Sequence, residues 1–348
     1  MGGVGRRLLL ALALASTAAC ASVLPATSGG ASPSSPPRHP SGTVAPRDGP
    51  FPSPGALVPT TGCGRSAPLA PGPPAEQQVE VTPAFQQGQA RRAYRLYIPR
   101  GYDPGSRLPL LLDLHGFGGS AAGEEQASGY DALADRMAFL AVYPEGLPLG
   151  PTQAAGWAST RPMDLGIDEL GYFAALLNQL QRQLCVDERR IYVTGFSNGG
   201  GMTAMLACYL SGRVAAVAPV SGNYYVESKG TGCHPARPVP LLEIHGTADA
   251  IVPYDGIGRV ESGGWPLLPI PQFLAGWAAR DGCTRGPGTF LDSAEVTGLR
   301  WDGCRGGAMV QHYRWNRGGH GAPPAIGGIP AGEVVWRFLA GYSLGGAV

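Results

Sequence analysis

Ile191-Tyr-Val-Thr-Gly195-Phe-Ser197-Asn-Gly199-Gly-Gly-Met202 passes from a β-branched run, through a serine flanked by glycines, into a helix-forming segment. It reads as strand, sharp turn, helix. A serine hydroxyl is a weak nucleophile, so it must be lifted off the backbone, set beside a base and placed near N–H donors for the developing oxyanion. The G-x-S-x-G turn provides the first of these, because its glycines let strand and helix close around an exposed side chain. A chain with 54 glycines also makes such matches by chance. Gly341-Tyr-Ser343-Leu-Gly345 is one, and no histidine follows it. Ser197 has a strand before it, a helix expected over 200–210 after it, and both carboxylates and a histidine further on. It is the expected nucleophile, the alternative being a non-catalytic strand-to-helix turn.

Such a serine needs a base and a carboxylate that orients the base and balances its charge. Leu241-Leu-Glu-Ile-His-Gly-Thr-Ala-Asp249 puts Asp249 on the loop after a buried strand, with Asp255 as the reserve. His320 lies in Arg317-Gly-Gly-His-Gly-Ala-Pro323, after a strand expected over 309–314, where flanking glycines let a loop carry the imidazole over Ser197. The other histidines fit less well. His39 is in a proline-rich stretch, His234 adjoins Cys233, His312 is inside a strand, and His115 and His245 precede glycines at strand ends. The order Ser197, Asp249, His320 is that of α/β-hydrolases. The oxyanion donors are expected to be the backbone N–H groups of Asn198 and of Phe117 in His115-Gly-Phe117. A metal site from His115, His245 and His320 has no H-x-H or H-E-x-x-H spacing behind it, so neither metal nor cofactor is expected.

With 348 residues and 44% hydrophobic composition the chain can bury a sizeable core. Its formal net charge is +1, Lys229 is its only lysine and no basic stripe is interleaved with aromatics, which argues against a nucleic-acid partner. Residues 1–20 read as an export signal: Arg6 and Arg7, an apolar run over 8–15, then Ser16-Thr-Ala-Ala-Cys20. The run is too short to span a bilayer. Cys20 after small residues resembles a bacterial lipobox, although Thr17 replaces the usual aliphatic residue. The expectation is a lipid-anchored protein at the outer face of the cell membrane, with plain secretion as the alternative.

Residues 21–74 are dominated by Pro, Ser, Gly, Ala and Thr and read as a disordered tether, with Cys63 pinning its end to a domain over 75–348. Setting Cys20 aside leaves Cys63, Cys185, Cys208, Cys233, Cys283 and Cys304, with no C-x-x-C pair. Export and an even count imply disulfides. Spacing alone does not fix the connectivity. The expected pairing is Cys63–Cys185, Cys208–Cys233 and Cys283–Cys304, the last two closing short loops.

Strands are expected near 79–81 and 93–98 around a Gln87-Gly88 turn, then at 110–114, 139–142, 191–194, 215–220 and 241–244. Helices are expected over 122–137 and 167–184, and the long segment 144–166 carries Trp157 without periodicity. This alternation predicts an α/β class: one monomeric domain with a mostly parallel sheet, helices on both faces, and the site at the carboxyl ends of the strands.

Over about 91–323 the sequence resembles the secreted esterases grouped as poly(3-hydroxybutyrate) depolymerase-like and feruloyl or acetylxylan esterases. The resemblance rests on Leu114-His-Gly-Phe-Gly-Gly-Ser120, Val142-Tyr-Pro-Glu-Gly146, Thr194-Gly-Phe-Ser-Asn-Gly-Gly-Gly-Met202 and Leu206-Ala-Cys208. It extends through Ala218-Pro-Val-Ser-Gly222, His245-Gly-Thr-Ala-Asp249, Trp277-Ala-Ala-Arg-Asp-Gly-Cys283 and Gly319-His-Gly321. It implies an α/β-hydrolase fold, the triad Ser197, Asp249 and His320, and cofactor-free ester hydrolysis through an acyl-enzyme.

Substrate is the open part of this expectation. No separate polymer-binding domain is evident, which favours soluble esters or oligomers. Trp157, Phe117, Tyr224, Tyr225 and Trp265 fall in loops near the expected site and would form an apolar slot for a planar acyl group. The expected activity is hydroxycinnamoyl ester hydrolysis on plant-polysaccharide fragments, with hydroxybutyrate oligomers and then acetylxylan as alternatives. A cell-envelope binding protein that keeps the fold without turnover would not need all three triad residues.

Overall fold

The structure, a computed structural model, describes residues 57–159, 166–225, 233–258 and 266–348. Cys20, the export signal, the tether as far as 56 and Trp265 lie outside the described residues.

Apolar runs make β3 (Leu108–Leu114), β4 (Leu140–Pro144), the second half of β7 (Val186–Phe196), β8 (Ala216–Val220) and most of β9 (Leu241–Gly246), and the more polar β12 (Val310–Trp315) completes the central strands. β3, β4, β9 and the second half of β7 are buried on both faces over most of their length, the pattern that parallel sheets require. Two antiparallel strands extend each side, β1 (Ala75–Glu80) and β2 (Arg91–Tyr97) on one and β10 (Arg285–Asp292) and β11 (Val296–Asp302) on the other. The order is β1-β2-β4-β3-β7-β8-β9-β12-β11-β10, parallel from β4 to β12. A small hairpin, β5 (Leu147–Leu149) and β6 (Ala154–Gly156), stands apart within the long segment after β4.

Alternating strand side chains divide the core in two. Leu110, Leu112, Val193 and Val217 meet α3 (Glu169–Gln183), α4 (Asn198–Tyr209) and α5 (Ile270–Asp281) on one face. Leu111, Ala141, Tyr192 and Leu242 meet α1 (Ala121–Ser128), α2 (Tyr130–Met137) and α6 (Ala331–Ala340) on the other. The single helix expected over 122–137 is two, because Gly129 at φ 66° takes the left-handed conformation and ends α1. α4 is apolar all round and buried from Asn198 to Cys208, as a helix in the middle of an α/β core must be.

Residues 57–74, assigned by composition to the tether, are held on the domain. Thr61 and Gly62 donate to Gln181 O at 3.0 and 2.9 Å, Gly72 donates to Ile98 O at 2.9 Å, and Cys63 is bonded to Cys185. Proline-rich composition hid this docking, since its partners are backbone atoms. Cys208–Cys233 and Cys283–Cys304 are bonded as well. The first bridge joins residues 122 apart in sequence and so removes the most freedom from the unfolded chain.

Candidate active site

The turn from β7 into α4 is tight enough to exclude side chains. A Cβ at Gly199 would stand 2.1 Å from Leu114 O, and one at Gly195 would stand 2.8 Å from the Gly199 backbone. Ser197 between them takes φ 54° and ψ −116°, a conformation that costs a non-glycine residue about 1–3 kcal/mol. Its N–H is anchored on Val220 O at 2.9 Å. The surroundings hold the strain and leave the hydroxyl facing the cavity described below.

Asp249 follows β9 and is buried, with His320 beyond β12. Asp249 Oδ1 accepts from Ile251 N at 2.9 Å and Val252 N at 2.8 Å, while His320 Nδ1 donates to Oδ2 at 2.7 Å. This fixes the tautomer: with the proton on Nδ1, Nε2 is free to act as a base. The His320 ring packs against Phe196, the residue before the serine, with centroids 4.7 Å apart. Its loop is tied down on both sides. Ala248 N donates to Gly318 O at 2.8 Å, and Ser221 Oγ donates to Gly321 O at 3.0 Å while accepting from Gly321 N at 2.9 Å. The Ser221 clamp escaped the sequence reading, although Ser221 at φ 46° sits within one of the quoted motifs.

Asn198 opens α4, so its N–H has no acceptor within the helix. Phe117 lies on the turn after β3, across from it, and the Phe117 and Asn198 side chains line the same cavity as Ser197. The Asn198 side chain also has a task that sequence did not show. Its Oδ1 accepts from Trp157 N at 2.7 Å, and its Nδ2 donates to Trp157 O at 3.0 Å and Ser159 Oγ at 3.0 Å. The Trp157 loop is thereby pinned to the residue after the nucleophile.

Trp157 is 1% exposed, and its indole N–H donates to His115 O at 2.8 Å. Arg92 braces the loop from below. Its guanidinium lies 3.7 Å from the Tyr172 ring centroid and 2.6 Å from Glu169 Oε2, and Glu169 Oε1 accepts from Ala158 N at 3.1 Å. His115 is used up as a brace: Nδ1 donates to Gly116 O at 2.7 Å and Nε2 accepts from Gly146 N at 2.9 Å. Burial lowers its pKa, which suits this neutral tautomer. Among the described residues no cluster of three or more His, Cys, Asp or Glu could hold a metal ion.

A cavity of about 370 Å³ opens over Ser197. Phe117, Leu149, Trp157, Ile251, Val252 and Leu267 form its apolar wall, and Asn198, Asn223 and Tyr225 add polar points. Phe117 and Ile251 are 53% and 67% exposed, at the open side. Of the aromatic residues expected to contact substrate, Phe117 and Tyr225 line the cavity and Trp157 reaches it from the core. Tyr224 does not. It is buried, stacked on Phe273 at 3.5 Å between ring centroids, with its hydroxyl 3.4 Å from Glu243. Adjacent residues in extended chain point to opposite sides, so Tyr225 and Tyr224 could not both face the cavity.

A family model described as Esterase PHB depolymerase matches residues 92–234. Feruloyl esterase B of Piromyces equi is 30% identical over 254 residues, 71% of this chain and 44% of that protein, so the chain spans less than half of that relative. Feruloyl esterase C of Emericella nidulans is 30% identical over 257 residues, 71% of this chain and 83% of that protein. Among solved structures, an acetyl xylan esterase from Aspergillus awamori is similar in fold, with TM-score 0.55 and 17% identity over 76% of this chain and 99% of that one. The chain belongs to the feruloyl esterase family of carboxylic ester hydrolases, matches the Esterase PHB depolymerase model over residues 92–234, and is built on the α/β-hydrolase fold.

Proposed function

We propose that the protein is an exported serine esterase that removes hydroxycinnamoyl groups, feruloyl foremost, from soluble fragments of plant polysaccharide. The observation that carries this reading is the juxtaposition of Ser197 in its strained turn with a cavity of about 370 Å³ that is walled mainly by apolar and aromatic side chains. A planar acyl group gains from rigid apolar walls, whereas a flexible hydroxybutyrate oligomer gains less. The feruloyl esterases among the relatives support the same choice.

In this mechanism His320 Nε2 takes the Ser197 proton as Oγ attacks the ester carbonyl, and Asp249 balances the imidazolium that forms. The Phe117 and Asn198 N–H groups receive the oxyanion. Collapse expels the alcohol, which takes the proton back from His320, and leaves an acyl-serine. Water, deprotonated by His320, then attacks that ester, and the Ser197 oxygen leaves with the proton returned by His320, which releases the acid and restores the free serine and base.

Export completes the proposal: a signal over 1–20, acylation at Cys20, a tether over 21–56 and a monomeric domain beyond it. Three disulfides support an oxidising compartment. Cys20→Ser should release the protein from membranes, and failure of labelled fatty acid to enter the wild type would leave it simply secreted. For substrate, kcat/KM is compared for methyl ferulate, hydroxybutyrate trimer and acetylated xylo-oligosaccharide on one preparation. Methyl ferulate should lead. A trimer preferred by more than about tenfold, roughly 1.4 kcal/mol in the transition state, would overturn the feruloyl reading and leave the triad standing.

A further inference from the structure

Behind Asp249 lies a second, wholly buried set of ionisable side chains that the mechanism above does not use. His245 stands at the end of β9 with no exposed side-chain surface, and both of its ring nitrogens face oxygen acceptors. Nδ1 is 2.9 Å from Glu243 Oε1. Nε2 is 2.8 Å from Val252 O and 3.3 Å from Asp249 Oδ2, the same oxygen that accepts from His320. A carboxylate and a carbonyl only accept, so a bare ring nitrogen on either side would set lone pair against lone pair in a dry interior. With Glu243 ionised, both nitrogens carry hydrogen.

We propose that His245 is a constitutive imidazolium, held by Glu243, that shares the Asp249 carboxylate with His320 and limits how strongly that carboxylate favours a charged base. His245 and Glu243 are positioning residues, since they act through Asp249. The inference rests on the Ser197, Asp249, His320 reading and deepens it.

The remaining neighbours fit this charge assignment. His312 Nδ1 donates to the Glu243 carbonyl at 3.1 Å, with Glu243 Oε2 closer at 2.7 Å but off the N–H axis. Its Nε2 meets the Tyr254 hydroxyl at 3.0 Å, which can donate, so His312 is satisfied as a neutral ring. The Tyr224 hydroxyl lies 3.4 Å from Glu243 Oε1. Arg314, the register partner of His245 on β12, turns to Thr297 Oγ1 at 3.1 Å and Asn316 Oδ1 at 3.1 Å, and Asp255 bears on Tyr254. Burial works against charge on His245, yet the Glu243 charge and hydrogen bond, the Val252 carbonyl and the Asp249 charge outweigh it and raise its pKa. Burial likewise works against the Glu243 anion, and the charge and hydrogen bond of His245 lead what offsets it and lowers its pKa.

A fixed cation behind Asp249 opposes a second positive charge on His320. Removing it should move the acid limb of kcat/KM to higher pH by about half to one unit, and the alkaline plateau should stay within about threefold. The variants are His245→Gln and the double variant H245Q/E243Q, which removes both buried charges together and avoids stranding a lone carboxylate. Each is assayed on a p-nitrophenyl ester beside Ser197→Ala, with folding checked by circular dichroism. A role in packing alone would lower Tm or the plateau and leave the limb in place, and that result overturns the proposal. In parallel, nitrogen-15 spectra of histidine-labelled wild type at pH 8 should show both His245 nitrogens protonated. A neutral-ring pattern there overturns it without any variant. Activity retained by folded Ser197→Ala would instead break the underlying triad reading.

Discussion

Ser197 and Ser343 each occupy the centre of a G-x-S-x-G pattern. Ser197 joins a buried parallel strand to a buried helix at φ 54°, and its flanking glycines touch backbone from β3 and α4. Ser343 lies after α6 in a two-residue strand, Tyr342–Ser343, paired with Gly346–Ala347. Its hydroxyl is spent locally, accepting from Gly345 N and donating to Gly346 O, each at 3.2 Å. A Cβ at Gly345 would come no nearer than 3.6 Å to any atom beyond its chain neighbours, against 2.1 Å at Gly199. The pattern becomes an elbow only where strand, helix and neighbouring strand all crowd the same turn.

The widest split between the two sites should appear in turnover. Ser197→Ala is expected to cut kcat on a p-nitrophenyl ester by about 10⁴-fold or more in a folded protein, while Ser343→Ala leaves it unchanged. Comparable losses in both would erase the distinction. A smaller contrast follows from crowding. Gly199→Ala should cost about 3 kcal/mol or more, because backbone must move, whereas Gly345→Ala should stay within about 0.5 kcal/mol. Equal denaturation midpoints for the two would mean that the elbow is not tightly packed.

The smallest effect concerns the floor of the elbow. Asp113 on β3 pairs in register with Thr194 on β7, and burial raises its pKa from 3.8 to about 7. Burial, together with the Asp113 charge, raises Glu124 to about 9. A carboxyl that holds its proton longer when folded loses stability as pH rises from its unfolded value through its folded one. Tm should therefore fall between about pH 4 and pH 7, with a further decline toward pH 9 from Glu124. Asp113→Asn should flatten the first part of that slope, and an unchanged slope would contradict it.

The tight turn at Ser197 and the Asp249–His320 contact were legible because each involves a polar side chain beside local turn signals at the end of an apolar strand. The central sheet was legible for the same reason. β10 and β11 were not, since β10 reads Arg-Gly-Pro-Gly-Thr-Phe-Leu-Asp and is exposed along most of its length, giving no apolar alternation. The split of the helix at Gly129 turned on one glycine's backbone conformation. Tyr224 and Tyr225 look alike in sequence, and only packing against Phe273 separates them. The Asn198 clamp on Trp157 and the Glu243 and His245 pair depend on contacts across elements, which spacing along the chain cannot reveal.

The central claim is that Ser197 alone carries the acyl group. Wild-type protein is inactivated with a stoichiometric organophosphonate, reduced, digested with trypsin and mapped by mass spectrometry. One adduct should appear on the 191–213 peptide at Ser197, in step with loss of activity on methyl ferulate. An adduct on the 338–348 peptide at Ser343, or full inactivation with the 191–213 peptide unmodified, would contradict it.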